Sequence, residues 1–485
     1  MRPISRVLIP LFIVAAFAAP AWAAGGRSTA AKAGGHITVS KVVDVSRDQT
    51  SQNETPLAVN PANHQNLITG NNDWNYNDGC GVNTSLDGGK TWTPTLPNGF
   101  LPGITKYTND PNVPGTGAYD AGGDPTIAFS PDGKTAYYVC QAFNFTSPYQ
   151  IALLLNRSTD GGLTWQSTGL AKVSTFNGNG VSKGSNGQFP DHENLHLDTS
   201  ATSPYEGTVY VAWAQFNGQG THSPVNVAVS RDGGATFTVS QVTAGNVRNN
   251  QDQRIVTAPN GDAYLTFDNG IQGGKGTALY VSKSTDGGTA WSAPVQFATL
   301  QNPVCVFPPY CFNISGGQFR AGGTYPAPAF DPVRDRLDVA FPDIRGTYAQ
   351  IYLTSLRPDL TVAQAPAAVA PANGDRFENE LTIAPNGRID VSFYDRSYSA
   401  NQLVDLTFAT SSDGGATWRT ARVTPQGFDP SQWGVPSSSS STGFRPFIGD
   451  YNGQVSTNDW CGITWTGFAP PQPFNLEVDY ATVTP

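Results

Sequence analysis

The chain has 485 residues, of which 13% are charged and 38% hydrophobic, with 52 Gly and 37 Pro. Soluble domains typically carry about 25% charged residues, so this surface is built from Ser, Thr, Asn and Gln, which excludes a coiled coil or a charge-rich helical protein. The formal net charge of −9 argues against nucleic acid or anionic lipid as a partner.

In chain order, Arg2 and Arg6 precede an apolar run at 7–19, and Ala21-Trp22-Ala23 follows as a small-x-small cleavage site. The pattern reads as a signal peptide over 1–23. The run is too short to span a membrane. Export is expected, into the periplasm or the medium, with a flexible leader at 24–35 and a single domain over 36–485.

One eight-residue pattern recurs along that domain. It reads SLDGGKTW at 85–92, STDGGLTW at 158–165, SRDGGATF at 230–237, STDGGTAW at 284–291 and SSDGGATW at 411–418. A decayed copy, SLRPDLT, lies at 355–361. The Asp accepts backbone N–H groups in a tight turn, and the Gly pair supplies positive φ. Alternating strands flank each copy, so each is expected to be a hairpin turn. Upstream lies a second pattern, a short strand, a polar turn and a stronger strand. Examples are 126–129 with 136–140, 255–258 with 263–267, and 381–384 with 389–394. Seven such starts are counted, each opening a unit of four antiparallel strands.

Four-stranded units repeating every 55–75 residues, roughly, predict an all-β fold, a β-propeller. The count gives seven blades, with six as the alternative. The last unit stops after its third strand. Thr38-Val39-Ser40-Lys41-Val42 nearly copies Thr238-Val239-Ser240-Gln241-Val242, so the N-terminal strand is expected to complete the last blade and close the ring.

Five cysteines cannot all pair internally. Cys305 and Cys311 lie six apart in a Pro-rich loop and are expected to form a local disulfide in an exported protein. The pairing of Cys80, Cys140 and Cys461 stays open. No CxxC occurs and His is scarce, so no zinc site or other metal is assigned. Asn71-Asn72-Asp73 and Asp268-Asn269-Gly270 offer oxygen ligands for Ca²⁺ but lack any EF-hand spacing, and no cofactor is expected.

The SxDxGxTW turns resemble the Asp boxes of bacterial neuraminidase repeats, and the whole mature chain, from residue 24 on, resembles the sialidase-like propeller superfamily. That resemblance implies that Asp87, Asp160, Asp232, Asp286 and Asp413 are structural and lie on the outer rim. It also implies a site built from arginines on a substrate carboxylate, a Tyr nucleophile paired with Glu, and an Asp acid/base. No Arg-Ile-Pro precedes the first box here; Phe444-Arg445-Pro446 is the similar segment. Phe393-Tyr394-Asp395-Arg396 and Phe447-Ile448-Gly449-Asp450-Tyr451 are similar to segments of secreted bacterial sialidase-family proteins.

Propeller geometry puts the starts of innermost strands and the ends of second strands on one face. The long connections, near 95–123, 174–190, 298–324, 364–377 and 425–443, gather there, and insertions stacked on one face build binding surfaces. Asp124, Glu193, Arg254, Glu380 and Arg445 should ring the channel mouth, within one residue of register. Asp73, Asp268, Asp343, Arg345, Asp395 and Arg396 should join them from the second strands. Glu193, Glu380, Asp343 and Asp395 are the candidate acids, and Tyr451 the one Tyr considered as a nucleophile. Arg254, Arg345, Arg396 and Arg445, with Asp124, are the candidate substrate-binding groups. The expectation is a secreted, monomeric, sialidase-like glycoside hydrolase acting on a glycan or glycoconjugate. The alternative is a non-catalytic propeller that binds carbohydrate or protein.

Overall fold

The computed structural model describes residues 36–485 except 75–78, 96–99, 109, 179–186, 219–221, 246, 248, 270–276, 303–318, 438–442 and 471. The assigned signal peptide, the leader and the Cys305–Cys311 pair lie outside the described residues.

Seven four-stranded antiparallel blades follow one another along the chain. The innermost strands are Leu57–Asn60 (preceded by Gln52–Asn53), Ala121–Phe129, Gln188–Leu197, Asn250–Thr257, Ala327–Asp331, Arg376–Ile383 and Gly453–Ser456. The ring closes as the repeat arithmetic requires. Leu476–Thr484, third strand of blade seven, pairs with Thr38–Val39 and Val43–Asp44, with Thr38 opposite Thr484 and Asp44 opposite Asp479. Its edge is thereby covered by the other end of the domain.

The apolar residues explain why seven separate sheets hold together. Each blade is too small to bury a core alone, and each of the seven buried clusters joins two adjacent blades. Ile68 and Val82 of blade one meet Ile127, Tyr138 and Leu154 of blade two. Leu57, Leu67 and Trp92 of blade one meet Val478 and Tyr480 of blade seven.

The Asp boxes are hairpin turns between third and outermost strands. In the second box, Asp160 accepts hydrogen bonds from Ser158 Oγ (2.8 Å), Thr164 N (2.9 Å) and Thr164 Oγ1 (2.5 Å). The boxes also stitch the ring. The Gly162 carbonyl accepts Thr84 Oγ1 of the preceding blade (2.8 Å), and the Gly161 carbonyl accepts Asn66 Nδ2 (2.8 Å). The decayed copy keeps this role, since Lys283 Nζ of blade four donates to the Pro358 carbonyl (2.9 Å). Cys80 and Cys140 are disulfide-bonded with Cα atoms 6.5 Å apart, tying blade one to blade two. Cys461 is buried and forms no disulfide among the described residues.

Candidate active site

In four blades the innermost ladder shifts register near its start, between Gly123 and Thr126, Asp191 and Asn194, Gln251 and Arg254, and Phe377 and Asn379. In blade one the strand breaks between Asn53 and Leu57. At each of these five places stands a non-glycine residue with positive φ: Glu54 (59°), Asp124 (53°), His192 (55°), Asp252 (59°) and Glu378 (50°). Such backbone costs on the order of 1 kcal/mol or more per residue and persists where surrounding bonds hold it, often at functional sites.

Here the bonds run from blade to blade. Asn72 Nδ2 donates to Glu54 Oε2 (2.6 Å), and Asn72 Oδ1 accepts from the Asp124 backbone N–H (2.8 Å). Asp124 Oδ2 accepts from His192 N (3.1 Å), and His192 Nδ1 meets Asp252 Oδ1 at 2.7 Å. Across the axis, Glu378 Oε2 accepts from Gly322 N (2.9 Å). The bulges of blades one to four are thus linked in a hydrogen-bonded arc, and Glu54, Asp124 and His192 of that arc line the space above it.

Above the arc lies an open cleft of about 180 Å³. Glu54, Asp124, Asp191 and Asp450 line it from four different blades or their leading segments, facing Arg320 and Arg445. Trp74, Phe143 and Phe447 supply apolar faces. Arg320 is ion-paired with Asp450 and lies 4.0 Å from the Phe447 ring centroid. Arg445 is exposed, lies 5.5 Å from the same centroid, and makes no ion pair among the described residues. His192 and Tyr451 stack at 4.8 Å and line both the cleft and a second cavity below it. Glu193, Arg254 and Glu380 line that lower cavity. Arg254 reaches across the axis from blade four to blade six and grips Glu380 with two bonds of 2.5 and 2.6 Å.

Burial sets the protonation of this centre. Desolvation, with Asp124 and Asp450 close by, pushes the Asp191 carboxyl up to about 8. Desolvation also raises Glu54 well above the usual carboxylate range, helped by Asp124 and Asp450, and raises Asp124. It lowers His192 to about 4, assisted by Arg254, and raises Asp252. Both members of the His192–Asp252 pair are therefore driven towards their uncharged forms.

The structure brings Asp124, Arg445 and Tyr451 together in the cleft, and Glu193, Arg254 and Glu380 in the cavity beneath. It does not bring the second-strand residues there. Asp343 caps a loop, accepting from the backbone N–H groups of Gln301, Asn302 and Ile344, and pairs with Arg345 at 2.8 Å. Arg345 stacks on Tyr352. Asp395 is fully buried, pairs with Arg376 at 2.8 Å and accepts from Ser397 N (2.8 Å), while Arg396 donates to the Gln402 carbonyl (3.0 Å). Tyr451 donates its hydroxyl to the Pro125 carbonyl (3.0 Å), and burial beside Glu54, Asp124 and Glu193 pushes its phenol well up. That environment disfavours a phenolate and suits Tyr451 to shaping the wall.

Glu54, Asp191, His192, Arg320 and Asp450 were not among the residues assigned from sequence. A signal for the bulges existed: an acid or His followed three residues later by Leu or Ile. Glu54/Leu57, Asp124/Ile127, His192/Leu195, Asp252/Ile255 and Glu378/Leu381 all fit it. Arg320 follows a stretch of no strand pattern and had no such signal.

No protein-family model matches the chain, and no curated protein sequence matches it. Among solved structures, the chain is similar to a protein of unknown function from Dyadobacter fermentans, at 12% identity and TM-score 0.49, covering 92% of this chain and 99% of that one. It is similar to the intramolecular trans-sialidase of Ruminococcus gnavus at 13% identity and TM-score 0.48, covering 77% and 97%. It is similar to an α-L-arabinofuranosidase of Fusarium graminearum at 17% identity and TM-score 0.44, covering 74% and 92%. At these values the likeness assigns no activity and no residue role to this chain.

Proposed function

We propose that the chain is a glycan-active enzyme, a glycoside hydrolase working in the cleft over the channel mouth. The observation that carries this reading is Asp191, a cleft-lining carboxyl pushed up to about 8 by burial and by Asp124 and Asp450. A carboxylic acid that keeps its proton at neutral pH is what protonating a glycosidic oxygen requires. Trp74, Phe143 and Phe447 suit the faces of sugar rings.

In this reading Asp191 gives its proton to the bridging oxygen as the bond to the anomeric carbon breaks. Water adds to that carbon and passes a proton to Asp450, whose other oxygen is held by Arg320. Atoms and charge then balance: one water is consumed, one proton enters and one leaves. Arg445, free of any carboxylate partner among the described residues, is placed to orient the substrate at the rim.

The test is hydrolysis of a panel of fluorogenic glycosides, α-sialoside included, by the chain from residue 24 on. Asp191→Asn should cut turnover by about a hundredfold or more, and wild-type turnover should fall as pH rises through about 8. Turnover untouched by Asp191→Asn would overturn the assignment of the donor. No turnover on any glycoside would overturn the hydrolase and leave a propeller that binds carbohydrate or protein without cleaving it, which a glycan-binding screen would then identify.

A further inference from the structure

We propose that a groove at the closing seam, on the face opposite the cleft, is a second carbohydrate site, one that takes a sugar ring bearing a carboxylate. It stands whether or not the cleft cleaves glycans.

Each innermost strand runs away from the cleft, so the turns between third and outermost strands lie on the far face. At the seam the outermost strand of blade seven comes in two pieces, Thr38–Val39 and Val43–Asp44. Val39 lies opposite Val483 and Val43 opposite Tyr480, so this strand carries one residue more than its partner. The bulge falls at 40–42. Together with the first Asp box and Trp460 it bounds an open groove of about 530 Å³. Ligand pockets enclose roughly 300–1,000 Å³.

The groups lining the groove select the ligand. Lys41 and Lys90 are exposed and line it from two sides of the seam. Lys106, Lys134 and Lys283 each pair with an aspartate, whereas Lys41 and Lys90 pair with none among the described residues. Trp92 and Trp165 give their indole N–H to a box carbonyl. The Trp460 indole N–H and the Gln65 side-chain amide, both lining the groove, have no partner among the described residues. The one carboxylate of the lining, Asp87, is spent within its own turn. Its Oδ1 takes Ser85 Oγ and Thr91 N, and its Oδ2 takes Thr91 Oγ1. The Tyr480 hydroxyl is bonded to Thr482 Oγ1 at 2.9 Å. What is left over is therefore two ammonium groups, an indole N–H and an amide, a set that calls for an anion rich in acceptors.

The half-buried Trp460, packed on the cluster that joins blades seven and one, adds an apolar face for a ring. An acidic peptide fits less well. It would have to add to the outermost strand, whose pieces are two residues each and broken by the bulge. A second copy of a chain with net charge −9 would be repelled.

The experiment is calorimetric titration of the chain from residue 24 on with the methyl glycosides of glucuronate and N-acetylneuraminate. Methyl glucoside, inorganic sulfate and hexaglutamate run beside them. At least one acidic sugar should bind about tenfold or more tighter than each of these three, and more weakly as salt rises. Lys41→Ala combined with Lys90→Ala should remove that preference and leave the thermal melt unchanged, because both side chains are exposed. Trp460→Ala, checked by the same melt, should weaken the acidic sugar and leave sulfate untouched. Arg445→Ala, which alters the cleft, should leave the binding as it is. Equal binding of the neutral sugar, of sulfate or of hexaglutamate would overturn the site. So would binding that survives the double lysine change, binding lost in Arg445→Ala, or no binding of either acidic sugar. Turnover of glycosides tests the cleft alone, so the two readings fail separately.

Discussion

Arg254 and Glu380 show how much at the channel depends on single residues. Their guanidinium and carboxylate meet with two short bonds, and both side chains are largely buried. Breaking such a pair strands a buried charge, whereas removing both partners does not. Arg254→Ala should therefore cost about 3–5 kcal/mol, read from denaturant unfolding. Arg254→Ala combined with Glu380→Ala should cost less than the two single changes added together. An additive result would show that the pair is not coupled. Both residues were placed at the channel mouth from sequence, and both stand one cavity lower. The reason is the bulge, since one extra residue at the start of a strand flips which side chains face the opening. The same slip turns Asp191 into the cleft.

Among the elements, the Asp boxes are where sequence and structure agree most closely, and where packing grades copies that look alike in sequence. Trp165 is buried, donates Nε1 to the Gly162 carbonyl at 3.0 Å, and meets Tyr138 edge-on. Trp291, in the copy that reads TAW rather than TW, is half-buried, and its Nε1 has no partner among the described residues. Trp165→Ala should cost about 3–5 kcal/mol and Trp291→Ala clearly less, by thermal melts of the two variants side by side. Gly162 has a φ of 96°, and an added Cβ would stand 2.5 Å from Ile68 Cδ1 of the preceding blade. Gly162→Ala should therefore destabilise through both backbone strain and overpacking, while Gly207→Ala, with positive φ but open space around it, should show strain alone. Equal losses would show that the box does not press on its neighbour.

At the scale of the whole molecule, stability turns on one seam. Blade seven borrows Thr38–Val39 and Val43–Asp44 from the far end of the domain. Deleting residues up to 45 should bare the edge of Leu476–Thr484 and yield an unstable or self-associating protein, visible by size-exclusion chromatography. The seam also stacks acids. Asp44 lies directly opposite Asp479, and Glu477 receives the Ser46 hydroxyl at 2.5 Å. Burial together with Asp44 and Asp479 pushes Glu477 up to about 8, and burial with Asp44 raises Asp479. Both carboxyls hold their protons more tightly folded than unfolded. Their contribution is full at acid pH and is lost as pH rises through about 8. The melting temperature should fall over that range, and Glu477→Gln should flatten the fall; an unchanged slope would place the pH dependence elsewhere.

The sequence by itself determined the ring: seven four-stranded units, Asp-box hairpins and a last blade finished by the first strand. Those features are written in local chemistry, in Asp turns, Gly pairs with positive φ and period-two alternation, repeated often enough to be counted. Asp124, Arg445 and Tyr451 of the cleft were legible in the sequence, but tertiary structure decided which other groups join them. The carboxyls of the cleft come from blades one, two, three and seven, and bulges that strand alternation does not encode choose which of them face inwards. Arg320 finds Asp450 130 residues away, and Cys80 finds Cys140 only because adjacent blades press together. Their proton affinities follow from the same convergence, since burial and like charge arise only once the ring has closed.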